Sequence, residues 1–348
     1  MTLTELSYYS RRMAPLVGIF VVAFIFIYIF LQLTITSLLN SRTVSIVYNP
    51  LFGKLKTPYI NVASNSSQLS YVLDTVEGEP ITATQAAKVY FLPPKTANFA
   101  FREKIYLMAK TFGFDTEVVK HKLSGTEASF SDAVQKLTID VTNFNFTYEY
   151  GFKTDDPIFT NTRIPTETEI QTKATDFLNS VGTYPPELAQ GKLNIIYLKY
   201  DLSTNSMTVV TKPQDANVVE VDMYRPNIDD VPIVSPKFFN SQNYIVMGFN
   251  DSGFKILRAQ VRFFEKSDTQ MGLYPVKTGE MAWNQLKNGQ AILVSVPPNI
   301  PSISIKKMFL GYLDPDIYQQ YLQPVYVFIG DNNFVAYVPA ISDQYLTE

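Results

Sequence analysis

Residues Met13 to Leu31, MAPLVGIFVVAFIFIYIFL, are nineteen consecutive residues without a charge. At ~1.5 Å rise per residue such a helix is roughly 28 Å long, close to the hydrocarbon thickness of a bilayer. The run is apolar on every face, whereas a surface helix of a soluble domain carries one apolar stripe. It exceeds the ~7–15 apolar residues of a cleaved secretory signal, and no A-x-A-like site follows in TITSLLNSRTV. A chain without cysteine cannot carry a lipoprotein anchor. The expectation is an uncleaved membrane anchor within residues 13–39.

Charges beside the span set its expected orientation. Arg11 and Arg12 abut its N-terminal end, and only Arg42 lies close on the other side. The positive-inside rule then places residues 1–12 in the cytoplasm and the C-terminal domain outside, as a single-pass cell-membrane protein. Tyr8, Tyr9 and Tyr28 are candidate interfacial residues.

The remainder is long enough to bury a large core. The whole chain's 22 tyrosines and 25 phenylalanines suit half-buried strands, while charged residues are only 18%. The net charge of −3 argues against a nucleic-acid partner. The absence of cysteine excludes disulfides, zinc–thiolate sites and thiol catalysis. Three N-x-S/T sequons, at Asn65, Asn145 and Asn250, are no more than this composition produces by chance.

TVSIVY (Thr43–Tyr48) reads as a short strand or extended linker, broken by NPLFGKLKTPYI with Pro50, Gly53 and Pro58. SYVLDTV and AAKVYFL read as strands, and Pro93-Pro94 ends the second. A weak repeat follows. Phe101, Ile105, Met108, Ala109 and Phe112 share one helix face, and Ile170, Ala174, Phe177, Leu178 and Val181 recur at the same offsets. Thr166-x-x-Glu169 is a capping box for the second helix. Gly113 and Gly182 stand where the helices should stop. A third helix, TGEMAWNQLKNG, is capped by Thr278 and stopped by Gly289. Strand-like segments follow each helix: residues 137–152, then LNIIYLKYDL, SMTVVTK, VVEVDMYR, YIVMGF and FKILRAQVRFFEK, then AILVSVP, ISIKKMFLGYL, PVYVFIG and FVAYVPAI. Helices near 101–112, 168–181 and 279–288, each beside antiparallel hairpins, give an α+β class of repeated helix-on-antiparallel-sheet units. The expected divisions are a tail (1–12), an anchor (13–39), a β-rich linker segment (40–98), a first unit (99–160), a second (161–270) and a C-terminal unit (271–348).

Two segments carry a resemblance: the helix Thr278–Gly289, and the ending Tyr321-Leu-Gln-Pro-Val-Tyr-Val-Phe328 with Ala336-Tyr-Val-Pro-Ala340. With the N-terminal anchor, they resemble membrane-anchored accessory regulators of two-component signalling of the YycH/YycI type, and PepSY-like extracytoplasmic domains more broadly. The resemblance implies regulation by contact with a membrane protein and supplies no catalytic set.

Candidate chemistry is sparse. His121, in VVKHKL, is the sole histidine, so any histidine-based triad or switch must use it; a surface residue beside a strand is the simpler expectation. Carboxylate pairs stand at Asp155-Asp156, Glu167/Glu169, Asp229-Asp230 and Asp314/Asp316. A glycosidase needs two carboxyls some 5–10 Å apart across a cleft. Acidic residues beside Pro157, Pro232 and Pro315 more often make turns. Asp331-Asn332-Asn333 lacks calcium-loop spacing and reads as a hairpin turn. Neither G-x-x-x-x-G-K-[ST] nor G-x-S-x-G occurs, and Ser252-Gly253 and Ser124-Gly125 have no nucleophile pattern around them. Lys306-Lys307 reads as a strand edge or solvent face, and Trp283 as core through its spacing with Leu286. The expectation is no catalytic, cofactor-binding or metal-binding residue and no cofactor. Its expected partners are the membrane, through 13–39, and another membrane or envelope protein, in a regulatory or interaction role. The alternatives are an envelope hydrolase using paired carboxylates and a structural envelope subunit.

Overall fold

The computed structural model describes residues 3–40, 46–61, 69–97, 100–152, 156–204, 206–298 and 300–347. Arg42, Asn65 and Asp155, named above, lie outside them. The chain divides into Met1–Val47 and Tyr48–Glu348.

The first unit is built on helix α1, Leu3–Asn40. Its segment Val17–Thr36 has a mean hydropathy of 2.5 with none of it buried. Among the described residues it is the one helix long and apolar enough to cross a membrane. The Thr34 hydroxyl donates back to the Phe30 carbonyl at 3.0 Å, which removes a free polar group from an apolar helix surface.

The second unit is α+β. Four further helices are α2 (Phe101–Thr111), α3 (Glu167–Val181), the short α4 (Pro186–Ala189) and α5 (Gly279–Lys287). At the start of α3 the Thr166 hydroxyl accepts from the Glu169 N–H, and Gly182 ends the helix at φ 73°. At the start of α5 the Thr278 hydroxyl accepts from the Met281 N–H.

A nine-stranded antiparallel sheet runs, in spatial order, Lys120–Leu123, Glu127–Ser131, Gln135–Asp140, Phe146–Tyr150, Gly253–Val261, Tyr244–Asn250, Val218–Tyr224, Lys192–Asp201, Ser206–Val209. Strands of residues 99–160 and 161–270 therefore join one sheet, across the Phe146–Tyr150 and Gly253–Val261 pair. α2 and α3 pack on one face of it. Ile105, Phe112, Ile170 and Ala174 are buried there, while Phe101 and Phe177 are half-buried at the margin. The Phe112 and Phe177 rings meet edge to face at 5.3 Å, which joins the two helices.

A second sheet orders Ile233–Val234, Ser302–Leu313, Pro324–Gly330, Val335–Pro339 and Ile292–Ser295, with Ser70–Leu73 added to Ser302–Leu313. α5 covers one face of this sheet through Ala282, Trp283 and Leu286. Val325, Val327, Val335 and Tyr337 form the core on its other face. Among the described residues three short pairings are parallel, beside the expected antiparallel hairpins: Ser70–Leu73 and Ile233–Val234 with Ser302–Leu313, and Leu55–Lys56 with Leu346–Thr347. Each brings a segment from far along the chain, so no hairpin turn dictates its direction. NPLFGKLKTPYI holds one of these strands, with Leu55 fully buried, where the sequence suggested only a break. A third sheet orders Met271–Pro275, Ala86–Phe91 and Tyr321–Leu322.

Candidate functional site

Three adjoining cavities form one groove on the second unit. The widest, about 520 Å³, is lined by Lys104 of α2, the turn Asn143–Asn145, the segment Gly182–Glu187 and residues from Val261 to Asp268. It shares Lys95, Asn143, Phe263 and Glu265 with a section of about 180 Å³ beside Pro93, Pro94 and Tyr318. Pro94 and Tyr318 in turn border a section of about 450 Å³ lined by Tyr59, Gln319, Tyr321 and Gln323.

Local chemistry sets each wall. Asp140 accepts from the Thr142 N–H and the Asn143 side-chain amide, tightening a turn that puts Phe144 at φ 62°. That turn brings the Phe144 ring to 4.0 Å from Lys104 Nζ. The left-handed cap at Gly182 and the pair Pro185-Pro186 end α3 and open α4, which carries Glu187. At the other end Gln319 grips the Tyr59 backbone in two directions, at 3.0 and 2.7 Å. The Tyr318 hydroxyl donates to the Leu92 carbonyl at 2.9 Å.

Most charges of the groove are internally matched. Lys95 pairs with Glu265 at 2.9 Å, and Lys266 with Asp268 at 2.5 Å. Glu187 lies 3.7 Å from Nη1 of Arg225, whose side chain is fully buried beneath the groove. Arg225 also holds Asp314 at 3.0 Å, donates from Nη2 to the Phe264 carbonyl, and stacks 4.0 Å from the Phe263 ring centre. The contact between Arg225 Nε and Asp314 Oδ1 has ion-pair distance but lies outside hydrogen-bond geometry. Gln242 Nε2 donates to the other Asp314 oxygen at 2.6 Å. Burial pushes the Asp314 carboxyl up to about 6, against the pull of Arg225. Lys104 differs from these groups: no carboxylate contacts it among the described ion pairs, and burial followed by repulsion from Lys95 lowers its pKa.

A second acidic cluster lies under the sheet. Along Val218–Tyr224, Val219, Val221 and Met223 face α3, so Glu220 and Asp222 face the opposite side. Asp222 is fully buried; it accepts from the Ser241 N–H at 3.1 Å and the Tyr224 hydroxyl at 3.2 Å. Burial, then the charge of Glu220, push its carboxyl up to about 7.

The residues nominated from sequence have other roles. His121 is exposed on the outermost strand of the nine-stranded sheet, with Nε2 3.1 Å from the Tyr106 hydroxyl and its ring stacked on Phe130. Asp156 accepts from the Ile158 N–H and the Tyr150 hydroxyl, capping a short 3₁₀ turn. Glu167 and Glu169 occupy the first turn of α3. Asp229 and Asp230 take positive φ in a turn closed by Ile228 and Val231, and Asp229 pairs with Lys88 at 2.7 Å. Asp314 is buried in the Arg225 pair rather than lying in a solvated turn. None of these acids lines the groove. Asp331–Asn333 forms the expected hairpin turn. Lys306 and Lys307 face solvent on a central strand, and Lys306 pairs with Asp74. Trp283 lies 6.2 Å from the Phe328 ring. Asn145 is buried, with Oδ1 accepting from the Phe263 N–H at 3.0 Å. Among the described residues no group of three or more His, Asp or Glu could hold a metal ion.

Sequence reasoning missed Lys104, Asn145, Glu187 and Arg225. They come from four separate stretches and acquire a common environment only through tertiary packing. The only signal was Arg225 directly after an apolar strand.

No family model matches the chain, and no curated protein matches it. Among solved structures the chain is similar to an uncharacterized protein from Eubacterium rectale, at 10% identity over 80% of this chain and 90% of that one, with a TM-score of 0.33. It is also similar to the Bacillus megaterium YpeB C-terminal domain, at 10% identity over 72% of this chain and 95% of that one, with a TM-score of 0.30.

Proposed function

We propose that this chain is a membrane-anchored, non-catalytic module whose second unit works outside the cytoplasm by binding and regulating another membrane or envelope protein. The observation that carries the reading is the groove. It runs through three adjoining cavities, is lined in part by aromatic and proline side chains, and its carboxylates Glu187, Glu265 and Asp268 are each held by a cation. Such a surface suits recognition of an extended segment. Acid–base hydrolysis would need two carboxyls free to exchange protons across the cleft. The apolar helix α1 supports a tether, and Arg11-Arg12 supports a cytoplasmic N-terminus. Tethering confines the module near the bilayer and raises the effective concentration of partners there. The segments 278–289 and 321–340 support kinship with PepSY-like domains.

The test is site-specific photocrosslinking of the full-length chain in native membranes. A crosslinker at Tyr318, in the groove, is expected to capture a membrane or envelope protein that one at Val209, outside it, does not. Turnover of a cell-wall polymer by the purified chain, abolished by Glu265→Gln, would replace this reading with the hydrolase.

A further inference from the structure

The wide end of the groove holds a set of donors without acceptors. Lys104 Nζ rests over the Phe144 ring at 4.0 Å. The carboxylates that line its cavity are committed elsewhere: Glu265 to Lys95, Asp268 to Lys266 and Glu187 to Arg225. Lys95 is near enough to repel it. Asn145, only 3% exposed, lines the same cavity; its Oδ1 accepts from the Phe263 N–H, and its Nδ2 has no partner among the described residues. That bond also orients the amide, since the oxygen must face the backbone donor. Thr183, which lines the same cavity, has a buried hydroxyl with no partner among the described residues. Leaving such groups unpaired costs free energy that an incoming acceptor recovers.

We propose that this end of the groove is a carboxylate-binding subsite, in which Lys104, Asn145 Nδ2 and Thr183 Oγ1 receive an acidic side chain of an extended peptide segment. Charge selects the group: an anion answers a lysine that has no counterion among the described residues, and charge-assisted bonds to it are the strong kind. The rest of the groove selects a peptide as its bearer. Beyond Lys95 it offers proline and aromatic walls, and then glutamine amides, one of which already grips backbone at Tyr59. Gln323, itself 3% exposed, leaves Oε1 unpartnered at that far end, an acceptor for a peptide N–H. The assignment rests on the groove being the partner site.

The experiment uses the full-length chain in neutral detergent, with amidated hexaglutamate, amidated hexaglutamine and inorganic phosphate as probes. The readouts are the affinity of each probe and the protection of Lys104 from acetylation, followed by mass spectrometry. Hexaglutamate is expected to protect Lys104 and to bind at least about tenfold more tightly than hexaglutamine, a difference of ~1.4 kcal/mol or more. Binding should weaken with salt. Lys104→Met keeps the stem packed on Phe144, and Asn145→Asp keeps the acceptor for Phe263 N–H while replacing the donor by a charge. Each is expected to remove at least about tenfold of the hexaglutamate affinity. Equal binding of the two peptides would overturn the subsite, as would protection by phosphate alone. If Lys104→Met abolishes hexaglutamate binding while crosslinking from Tyr318 persists, the carboxylate subsite stands on its own chemistry. If neither substitution changes the peptide's affinity while crosslinking persists, the subsite falls and the interaction reading remains.

Discussion

Buried carboxyls contribute to how this molecule responds to pH. Asp222 and Asp314 have folded-state pKa values raised to about 7 and about 6, chiefly by burial. A raised carboxyl pKa means that the folded chain holds its proton more tightly than the unfolded chain, whose aspartates titrate near ~3.9. Between the two values the folded state binds more protons, so stability falls as pH rises. The melting temperature is therefore expected to climb as pH drops from about 8 to about 5. Asp222→Asn keeps the shape and removes the charge. It should raise stability at pH 8 by on the order of 2 kcal/mol and make the profile shallower, leaving the slope that Asp314 contributes. An unchanged profile in that variant would show that Asp222 is not the group being titrated. Arg225→Met acts in the opposite sense. It strips the buried Asp314 of its counterion, and at pH 8 thermal unfolding should report a loss of about 3–5 kcal/mol. The loss should shrink near pH 5, where Asp314 takes up a proton.

The helices were the legible elements, because each states its own boundaries. The apolar offsets of α2, α3 and α5, the hydroxyls of Thr166 and Thr278, and Gly182 as a left-handed cap all act within a few residues of one another. Hairpins such as that of Tyr244–Asn250 with Gly253–Val261 were legible for the same reason. Strands Lys120–Leu123 and Glu127–Ser131 went unread because, among their described side chains, only Ala128 and Phe130 are fully buried. VVEVDMYR read as a strand, but burial of its Asp222 depends on residues distant in the chain, such as Ser241. The groove was illegible because its residues meet only after the sheets have formed. Close approach between elements is equally invisible from one segment. Gly279, which starts α5, would place a Cβ 2.3 Å from the Ile81 carbonyl oxygen, a backbone atom that cannot turn aside. Gly289, just past α5, has φ 74° in open space. Gly279→Ala is accordingly expected to cost about 3 kcal/mol, the upper part of the overpacking range, and Gly289→Ala about 1 kcal/mol from conformation alone. Denaturant unfolding of the two variants checks the order; equal costs would contradict the close approach.

Long-range closure holds the second unit together at the scale of the whole fold. Its beginning and end are woven together: Leu55–Lys56 runs parallel to Leu346–Thr347, Asn49 bridges to Leu273, and the Phe52 N–H donates to the Tyr274 hydroxyl at 2.9 Å. Tyr345 stands edge-on to Tyr274 at 5.6 Å, and Leu55, Val89, Tyr274 and Ile341 share one buried cluster. Asp343 supplies the carboxylate 2.6 Å from Lys277, whose side chain is 2% exposed and whose pKa burial lowers. Removing residues 343–348 therefore does more than trim an end. It uncovers Leu55, takes the ring from Tyr274 and leaves a buried ammonium without its counterion. The hydrophobic loss alone amounts to a few kcal/mol at ~25 cal/mol per Å², and the unpaired lysine adds to it. Because these contacts join residues nearly 300 positions apart, the segment 48–60 has few local interactions to fall back on. The truncated chain is expected to melt several degrees lower than the intact one and to be cut by protease within residues 48–60 before any other part of the second unit. A truncated chain that melts within about 2 °C of the full one, with that segment still protected, would mean that the terminal strand pair is ornamental to the fold.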